Sequence, residues 1–445
     1  MKIAIASSGL GHVARGIETW ALDTANALHR KGVDVTLFAA GAVESEAPCV
    51  VVPCVRRRTP LSDFIVKVLP SFTWRWGLQS GYGIEQLTFW RHLRHELNAG
   101  AFDILHIQDP MMADLCRKAR ERGTVKAKEI LAHGTEEPLE FLSRFDYLQH
   151  LAPWHLQQAL GESSGLEGGN SGFRVPSSEF VGNGKSADVL TPNSEPGTLT
   201  ASHPFWTAMP NFIDTDLYRP VHDAEEMRAL RRELGIPEDA FVLGTAAAIK
   251  KHHKRIDYLI REFSEFVASA FSSHPSSLLQ PYLVIAGSRQ TDTEELQALA
   301  DRLCPERIKF LVNHPHEKMP DLLRCYDAFV LTSVFEMMPI ALLEAISTGL
   351  PVITNNHPVL EWMGGPGGLR PDMGKEGALS KALAAITPED VLRLGAAARE
   401  HALGNFSEGA VVAQYLGYYE KVHSSGFRVD RLCWFNKEEA KETKG

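Results

Sequence analysis

The chain has 445 residues, enough for two or three domains that each bury a core of their own. Its composition, with 44% hydrophobic and 23% charged residues, is that of a soluble globular protein and excludes a largely disordered one. The net charge of −9 argues against nucleic acid as a partner.

The amino-terminal apolar run, from Ile3 to Ala6, is too short for the core of a signal peptide and predicts a buried strand. No stretch of the sequence approaches the roughly 18 to 20 apolar residues that cross a bilayer, so we expect a cytoplasmic protein. The six cysteines include no C-x-x-C pair and no histidine at metal-ligand spacing. We therefore expect reduced thiols that take no part in chemistry.

Strands and helices alternate through the first third of the chain. The pattern predicts strands at 2–7, 34–38, 103–107 and 129–132, with a helix at 16–30 between the first two. A strand-then-helix order is typical of a parallel sheet covered by helices on both faces.

A stretch rich in Gly, Ser, Asn and Pro, residues 161–203, interrupts this alternation, which then restarts. The second run predicts strands at 241–248, 282–286, 308–311, 328–332 and 351–354, and helices at 257–268, 292–303, 319–325 and 339–347. Two runs of alternation indicate two doubly wound α/β domains. We place them at 1–208, the acceptor side, and 209–422, the donor side, with their joint near 209–220 and a charged tail at 423–445.

One loop and the helix after it carry the clearest chemical signal. The loop presents Glu336, and Pro339 stands where proline is favoured, in the first turn of a helix that Gly349 ends. The helix N-terminus then lies at the carboxyl edge of a parallel sheet, where the helix dipole favours phosphate. Glu344 lies two turns further on among Ile, Ala and Leu, which is costly unless it is paired or binds a ligand hydroxyl. The alternative is a solvated glutamate on the polar edge of the helix.

The spacing of Glu336 and Glu344 resembles the E-x7-E signature of the retaining family 4 glycosyltransferases, which have the GT-B fold of two Rossmann-like domains around a cleft. The resemblance implies that Glu336 contacts hydroxyls of the donor sugar and that Glu344 holds the ribose of the nucleotide. In place of the glycines usual beside the first glutamate, this chain has two methionines and Pro339. Phosphate contacts are therefore expected from the amides of Met338 and Ile340.

Further segments resemble the same family in order and spacing. Residues 210–220 are similar to the family's entry to the second domain. Lys254 and Arg255 lie in a stretch similar to K-G-x-D-x-L-I, whose lysine neutralises the donor diphosphate. The arginine usual five residues before that lysine is absent, and Lys250 or Lys251 is expected to replace its charge. Without this context, the same basic run is equally a solvated face.

The resemblance is thinner in the first half of the chain. Gly16 lies in a segment similar to the G-G-x-E start of the family's first helix, and Gly11 would let the backbone approach a sugar or phosphate. His133 stands where the family has an active-site histidine beside the donor sugar, although a core or capping histidine is the alternative. The candidate catalytic residues are thus His133, Glu336 and Lys254, and the candidate donor-binding residues are Gly11, Gly16, Lys250, Lys254, Arg255, Met338, Ile340 and Glu344.

What the resemblance implies is hexosyl transfer from a nucleotide sugar to a hydroxyl of a glycan, glycolipid or small molecule. Attack is expected on the front face, with the proton passing to the leaving diphosphate. Lys254, Arg255 and the helix N-terminus near Ile340 would stabilise charge on the leaving group, while Glu336 and His133 orient the sugar. We expect no D-x-D motif near these segments, and therefore neither a metal ion nor another cofactor.

Three alternatives remain open. The pattern Gly9-x-Gly11-x-x-Ala14 after a strand fits the fingerprint of NAD(P)-dependent oxidoreductases, but residues 38–41, after the second strand, lack the acid that would bind a ribose. A sugar-nucleotide epimerase or a phosphorylase would share the GT-B fold, although the spacing of the two glutamates argues against both. A catalytically inactive sugar-nucleotide-binding relative is favoured by the replaced glycines beside Glu336 and by the irregular segment 161–203.

The region 56–94 combines three consecutive arginines, Arg56 to Arg58, with the aromatic residues Phe72, Trp74, Trp76, Tyr82, Phe89 and Trp90. Basic residues beside exposed aromatics can hold a membrane surface or a lipid-linked acceptor, so peripheral association with the inner face of the membrane is one expectation. The aromatics can equally stack on sugar rings, and a place in the core is expected for most of them.

Overall fold

The structure is a computed structural model that describes residues 1–13, 16–69, 78, 80–163, 203–273 and 280–425. Within these residues the chain forms two parallel β-sheets. Most of the irregular segment and of the charged tail lie outside the described residues, as do Ala14, Phe72, Trp74, Trp76 and Cys433. The expectations for them stay predictions.

The first sheet is built around its amino-terminal strand. Its described strands are β1 (Lys2–Ser7), β2 (Asp34–Ala39), β3 (Cys49–Val51), β4 (Ile104–Ile107), β5 (Lys128–His133), β6 (Leu148–His150) and β7 (Trp206–Ala208). They lie in the order β3-β2-β1-β4-β5-β6-β7 and are all parallel. The accompanying helices are α1 (Gly16–Arg30), α2 (Pro60–Val68), α3 (Gly81–Ala99), α4 (Pro110–Glu121), α5 (Leu139–Leu142) and α6 (Pro153–Ser163). Strand β1 is apolar on both sides because both faces of the sheet are covered: Ile3 and Ile5 join one core cluster, and Ala4 and Ala6 the other.

The second sheet repeats the arrangement. Its described strands are β8 (Ala240–Ala246), β9 (Gln280–Gly287), β10 (Ile308–Val312), β11 (Ala328–Leu331), β12 (Val352–Thr354) and β13 (Gly368–Leu369), in the parallel order β10-β9-β8-β11-β12-β13. The helices of this half are α7 (Ala224–Leu234), α8 (Ile256–Ser273), α9 (Thr293–Leu303), α10 (Met319–Leu323), α11 (Ile340–Ser347), α12 (Pro358–Gly364), α13 (Ala378–Ala385) and α14 (Pro388–Asn405). Gly244 of β8 lies against the ring of Tyr326, where a Cβ would come within 2.0 Å of a ring carbon.

The last described helix, α15 (Glu408–Ser424), packs against the first sheet and not the second. Its Tyr415 accepts a hydrogen bond from the indole of Trp20 at 3.3 Å, and its Tyr419 lies 2.7 Å from Nδ1 of His106. The bounds 1–208 and 209–422 stay predictions, but the second range includes a helix whose apolar side belongs to the first core. The periodicity that predicts a helix does not say which sheet covers it.

Most of the predicted elements coincide with observed ones. The first strand and the first helix have the predicted ends, and every predicted element of the second run is present with ends shifted by at most five residues. Residues 40–102, for which the pattern predicts no element, form β3, α2 and α3. Phe89 and Trp90 are buried in the core as expected.

The cysteines of the described residues are all free: Cys49, Cys54, Cys116, Cys304 and Cys325. This agrees with the expectation of reduced thiols. None of the helices in the described part of the chain is long and apolar enough to cross a membrane.

Candidate active site

Two helix N-termini from the two halves of the molecule meet at one point. Helix α1 follows β1 and begins at Gly16, and α11 follows β11 and begins at Ile340. A Cβ added to Gly16 would lie 3.3 Å from Cγ1 of Ile340, so a larger residue at position 16 would crowd the meeting point. The first amides of a helix have no partner within the helix, and the positive ends of both helix dipoles lie at this point, which favours an anionic group such as a diphosphate.

Lys254 and Glu336 form an ion pair beside this point. Glu336 is 7% exposed, and the backbone carbonyl of Lys254 accepts a hydrogen bond of 2.7 Å from Thr332, at the end of β11. His253 supports the same loop, because its Nε2 lies 2.9 Å from the carbonyl oxygen of Phe335. Burial lowers the pKa of His253, so its imidazole favours the neutral form. The structure thus brings together Lys254 and Glu336, two candidate catalytic residues 82 positions apart.

Glu344 is 4% exposed on α11, so the alternative of a solvated glutamate is wrong. Tyr218 donates a hydrogen bond of 2.9 Å to its carboxylate, and Nε2 of His316 lies 3.5 Å from the same oxygen. The hydrogen bond with Glu344 raises the pKa of His316. Asp23, on α1 in the first half, also faces this group. Its pKa is raised to about 7, mainly by burial, while His316 lowers it and the charges of Asp214 and Glu344 raise it.

The remaining candidates of the second half have different surroundings. Met338 is buried, and its sulfur accepts a hydrogen bond of 3.2 Å from the backbone amide of Asn211, in the joint between the halves. Lys250 is half-buried in the turn that precedes α8. Arg255 donates a hydrogen bond of 2.6 Å to the carbonyl of Met373, and its guanidinium lies 4.1 Å from the ring centre of Tyr258. The contacts of Arg255 are therefore with the body of the second half, and its role in donor binding stays a prediction.

His133 lies in a buried cluster of histidines at the carboxyl edge of the first sheet. Its Nδ1 is 3.3 Å from Nδ1 of His150, its ring centre is 6.3 Å from that of His155, and its Nε2 is 3.8 Å from a carboxylate oxygen of Glu137. Burial lowers the pKa of His133 to about 4, so the ring is neutral at physiological pH. Its buried Nε2 has no hydrogen-bond partner among the described residues, which is compatible with either a core histidine or one that awaits a ligand.

A polar network at the carboxyl ends of β1 and β4 was not singled out from the sequence. His12 and Arg57 both contact the carboxylate of Glu85, and Arg57 also bonds Glu18 at 2.8 Å. Gly9 lies directly beneath, since a Cβ there would come within 2.0 Å of an oxygen of Glu18. The signals that could have revealed the network are an acid early in the first helix and an arginine in a basic run, but they lie far apart along the chain.

One expectation needs correction. Asp214-Thr215-Asp216 does have the D-x-D spacing close to the joint. Its first carboxylate accepts the backbone amides of Asp216 and Leu217 at 2.9 and 3.0 Å, which is a turn-forming arrangement. Among the described residues, no three or more His, Cys, Asp or Glu side chains are grouped so that they could hold a metal ion.

Comparison with known proteins extends the resemblance over both halves. The family model described as glycosyl transferases group 1 matches residues 226–366, and the model described as glycosyltransferase family 4 matches residues 14–160. A D-inositol 3-phosphate glycosyltransferase from Stackebrandtia nassauensis is 24% identical over 363 residues, 76% of this chain and 71% of its own. An alpha-galactosylglucosyldiacylglycerol synthase from Streptococcus pneumoniae is 25% identical over 49% of this chain, and that match spans little more than half, 56%, of the relative.

This chain is a group 1, family 4 glycosyltransferase. The fold of the glycosyltransferase is GT-B, as in a sucrose-phosphate synthase from Thermosynechococcus elongatus, with a TM-score of 0.67 at 15% identity over 96% of this chain and all of the other. The Anabaena protein HepE, solved in complex with UDP and glucose, has a TM-score of 0.64 at 15% identity over 95% of this chain and all of the other.

Membership of the glycosyltransferase family decides against the oxidoreductase alternative. The packing of the first loop also shows why a dinucleotide would not fit there. Gly11, at φ 93°, packs against the backbone of Gly41, where a Cβ would come within 2.6 Å. The amides of Ala40 and Gly41 both bond the carbonyl of Leu10 at 3.0 Å. In a dinucleotide-binding domain the end of the second strand supplies an acid to the ribose, and here that end is closed against the first loop.

Proposed function

We propose that this glycosyltransferase moves a hexosyl group from a nucleotide sugar to a hydroxyl of its acceptor, with retention at the anomeric carbon. The observation that carries the proposal is the meeting of the α1 and α11 N-termini beside the Lys254–Glu336 pair. That arrangement offers positive potential for a diphosphate and a buried carboxylate for sugar hydroxyls in adjacent positions. Similar structures support it, since HepE has been solved in complex with UDP-glucose and a starch synthase from Arabidopsis thaliana bound to ADP and acarbose.

In the proposed reaction, the bond between the anomeric carbon and the β-phosphate oxygen breaks, and its electron pair stays with the nucleoside diphosphate. The acceptor oxygen bonds to the anomeric carbon from the same face, and its proton passes to the leaving phosphate. Lys254, Lys250 and the amides near Ile340 stabilise the developing negative charge. Glu336 and the neutral His133 orient the sugar by hydrogen bonds.

Glu344 holds the ribose in this proposal. Its carboxylate is buried, and one of its oxygens accepts a hydrogen bond from the hydroxyl of Tyr218, so the carboxylate is held in place before the donor binds. Fixed acceptor groups of this kind bind ribose hydroxyls with little loss of side-chain entropy.

We also propose that the protein works without a metal ion and at the cytoplasmic face of a membrane. Helix α2 supports the second part: Leu61, Phe64 and Val68 are 55%, 63% and 63% exposed and form an apolar line that we call the α2 ridge. Exposed Arg58 and Lys67 lie beside it. An exposed apolar line with basic residues beside it is suited to a bilayer that contains anionic lipids.

The test is nucleotide release from a panel of UDP-, GDP- and ADP-hexoses by the wild type and by Glu344→Ala, with and without EDTA. We expect one donor to be cleaved by the wild type, with little effect of EDTA and at least a tenfold loss in the variant. Absence of release, together with no thermal stabilisation by any donor, would favour the inactive relative. A strict requirement for manganese or magnesium would contradict the metal-free proposal.

A further inference from the structure

His12 lies in the loop between β1 and α1, close to the meeting point of the two helix N-termini. Its Nε2 is 2.7 Å from a carboxylate oxygen of Glu85, which is fully buried. An ionised carboxylate accepts hydrogen bonds, so Nε2 donates to Glu85 and this contact fixes the orientation of the imidazole. Nδ1 is left for another partner.

Glu85 is itself held from several sides. Its Oε2 accepts a hydrogen bond from the backbone amide of Arg57 at 2.8 Å. Its Oε1 accepts one from the hydroxyl of Ser8 at 3.3 Å and lies 3.3 Å from Nε of Arg57. The guanidinium of Arg57 is fixed in turn by Glu18 and by the ring of Tyr82, whose centre lies 4.5 Å away. The imidazole thus rests on a support that contacts within the protein hold in place.

Nδ1 of His12 is buried, and among the described residues it has no hydrogen-bond partner. A buried ring nitrogen without a hydrogen-bond partner is unfavourable unless a ligand supplies one. We propose that His12 binds a hydroxyl of the acceptor substrate through Nδ1 and thereby sets its position against the donor sugar. This inference rests on the proposed function, which supplies the donor on the other side of the cleft.

The charges around His12 indicate what kind of acceptor fits. Two acidic side chains of the network, Glu85 and Asp109, are almost fully buried, and among the described residues the guanidinium of Arg57 contacts the first of them. Asp109 is bonded by the hydroxyl of Tyr82 at 2.6 Å and by the amide of Ser8 at 3.0 Å. An acceptor group with a phosphate would be repelled here, whereas an uncharged polyol would find acceptors for its hydroxyls. The preferred acceptor head is therefore an uncharged sugar or polyol.

The experiment compares His12→Ala and His12→Asn with His92→Ala, a control histidine on the exposed side of α3 that contacts only the Thr88 carbonyl among its described hydrogen bonds. With the donor that the wild type cleaves, transfer to methyl glycosides of glucose and galactose is measured against transfer to inositol 3-phosphate, and donor affinity is measured separately. We expect the His12 variants to lose about tenfold in kcat/KM for the methyl glycosides, with donor affinity unchanged within about twofold.

An equal effect on donor affinity would assign His12 to the donor and overturn the proposal, as would unaltered transfer by both variants. A wild-type preference for inositol 3-phosphate, or no transfer to either methyl glycoside, would overturn the proposed acceptor class. Failure of the proposed function can be distinguished from failure of this inference, because in the first case the wild type would release no nucleotide from any donor. The asparagine variant retains a polar side chain, so a folding defect in the alanine variant does not decide the outcome.

Discussion

Replacing Lys254 by methionine removes the positive charge that faces Glu336 while keeping most of the side-chain volume. The two side chains are 18% and 8% exposed, so the loss leaves a carboxylate largely buried without its partner. Breaking a fully buried pair costs about 3 to 5 kcal/mol, and allowing for the partial exposure of Lys254 we expect about 2 to 3 kcal/mol. For a domain of this size, that lowers the midpoint of thermal unfolding by about 4 to 12 °C.

Lys251→Met is the matched control, three residues earlier in the same turn. Of the two lysines that could replace the missing arginine, Lys251 pairs with Glu295, so we assign that charge to Lys250. The side chains of Lys251 and Glu295 are 37% and 69% exposed, and such surface pairs contribute little to stability. The two variants remove the same charge from the same segment. They differ in whether the partner is buried and in whether the lysine faces the proposed diphosphate site.

The assays are thermal unfolding and nucleotide release. We expect Lys254→Met to lower kcat/KM for nucleotide release by about a hundredfold to a thousandfold, since it removes charge stabilisation of the leaving group. Lys251→Met should remain within about threefold of the wild type. Equal unfolding midpoints would refute the structural part of the reasoning, and equal rates of release would refute the assignment of Lys254 to the leaving diphosphate.

Three further outcomes follow from the described contacts. Tyr218→Phe removes the hydroxyl that positions Glu344 and should weaken nucleoside diphosphate binding by about three- to tenfold in calorimetry, whereas unchanged binding would contradict its role. Asp23→Asn should unfold at a higher temperature than the wild type at pH 8. The folded-state pKa of Asp23 is raised to about 7, so its charge costs stability above that pH and the difference should close between pH 7 and 4; a difference that does not change with pH would refute this. Serine at all three positions of the α2 ridge should reduce binding to anionic vesicles at low salt at least tenfold and leave nucleotide release intact. Leu392→Ser, at an exposed leucine of α14, serves as its control, and a wild type that does not bind vesicles would end the membrane proposal.

Elements that are long enough to show an apolar period could be predicted from the sequence, and several shorter elements could not. Strand β1 and helix α1 have the predicted ends because their apolar spacing and flanking glycines are local features. Helix α2 does carry an apolar line, but its 9 residues are fewer than the window over which a helical period is recognised. Strands β6 and β7 are three residues long, too short for a period to be recognised.

The candidate site divides in the same way. Glu336 and Glu344 lie on one loop and helix, so their spacing carries the information. Lys254 and Arg255 are neighbours in the sequence, yet Arg255 adopts φ 52° and bonds Met373, a contact 118 positions away that no local pattern reveals. The contact of His12 with Glu85 spans 73 positions and depends on how the whole first sheet is wound.

The measurement that tests the central claim most directly is a crystal structure with the nucleoside diphosphate of the donor that the wild type cleaves. We expect the diphosphate between the N-termini of α1 and α11, with Lys254 on its oxygens and the ribose hydroxyls on Glu344. A nucleotide bound elsewhere, with Gly16 still against Ile340 and Tyr218 still the hydroxyl partner of an unoccupied Glu344, would contradict it.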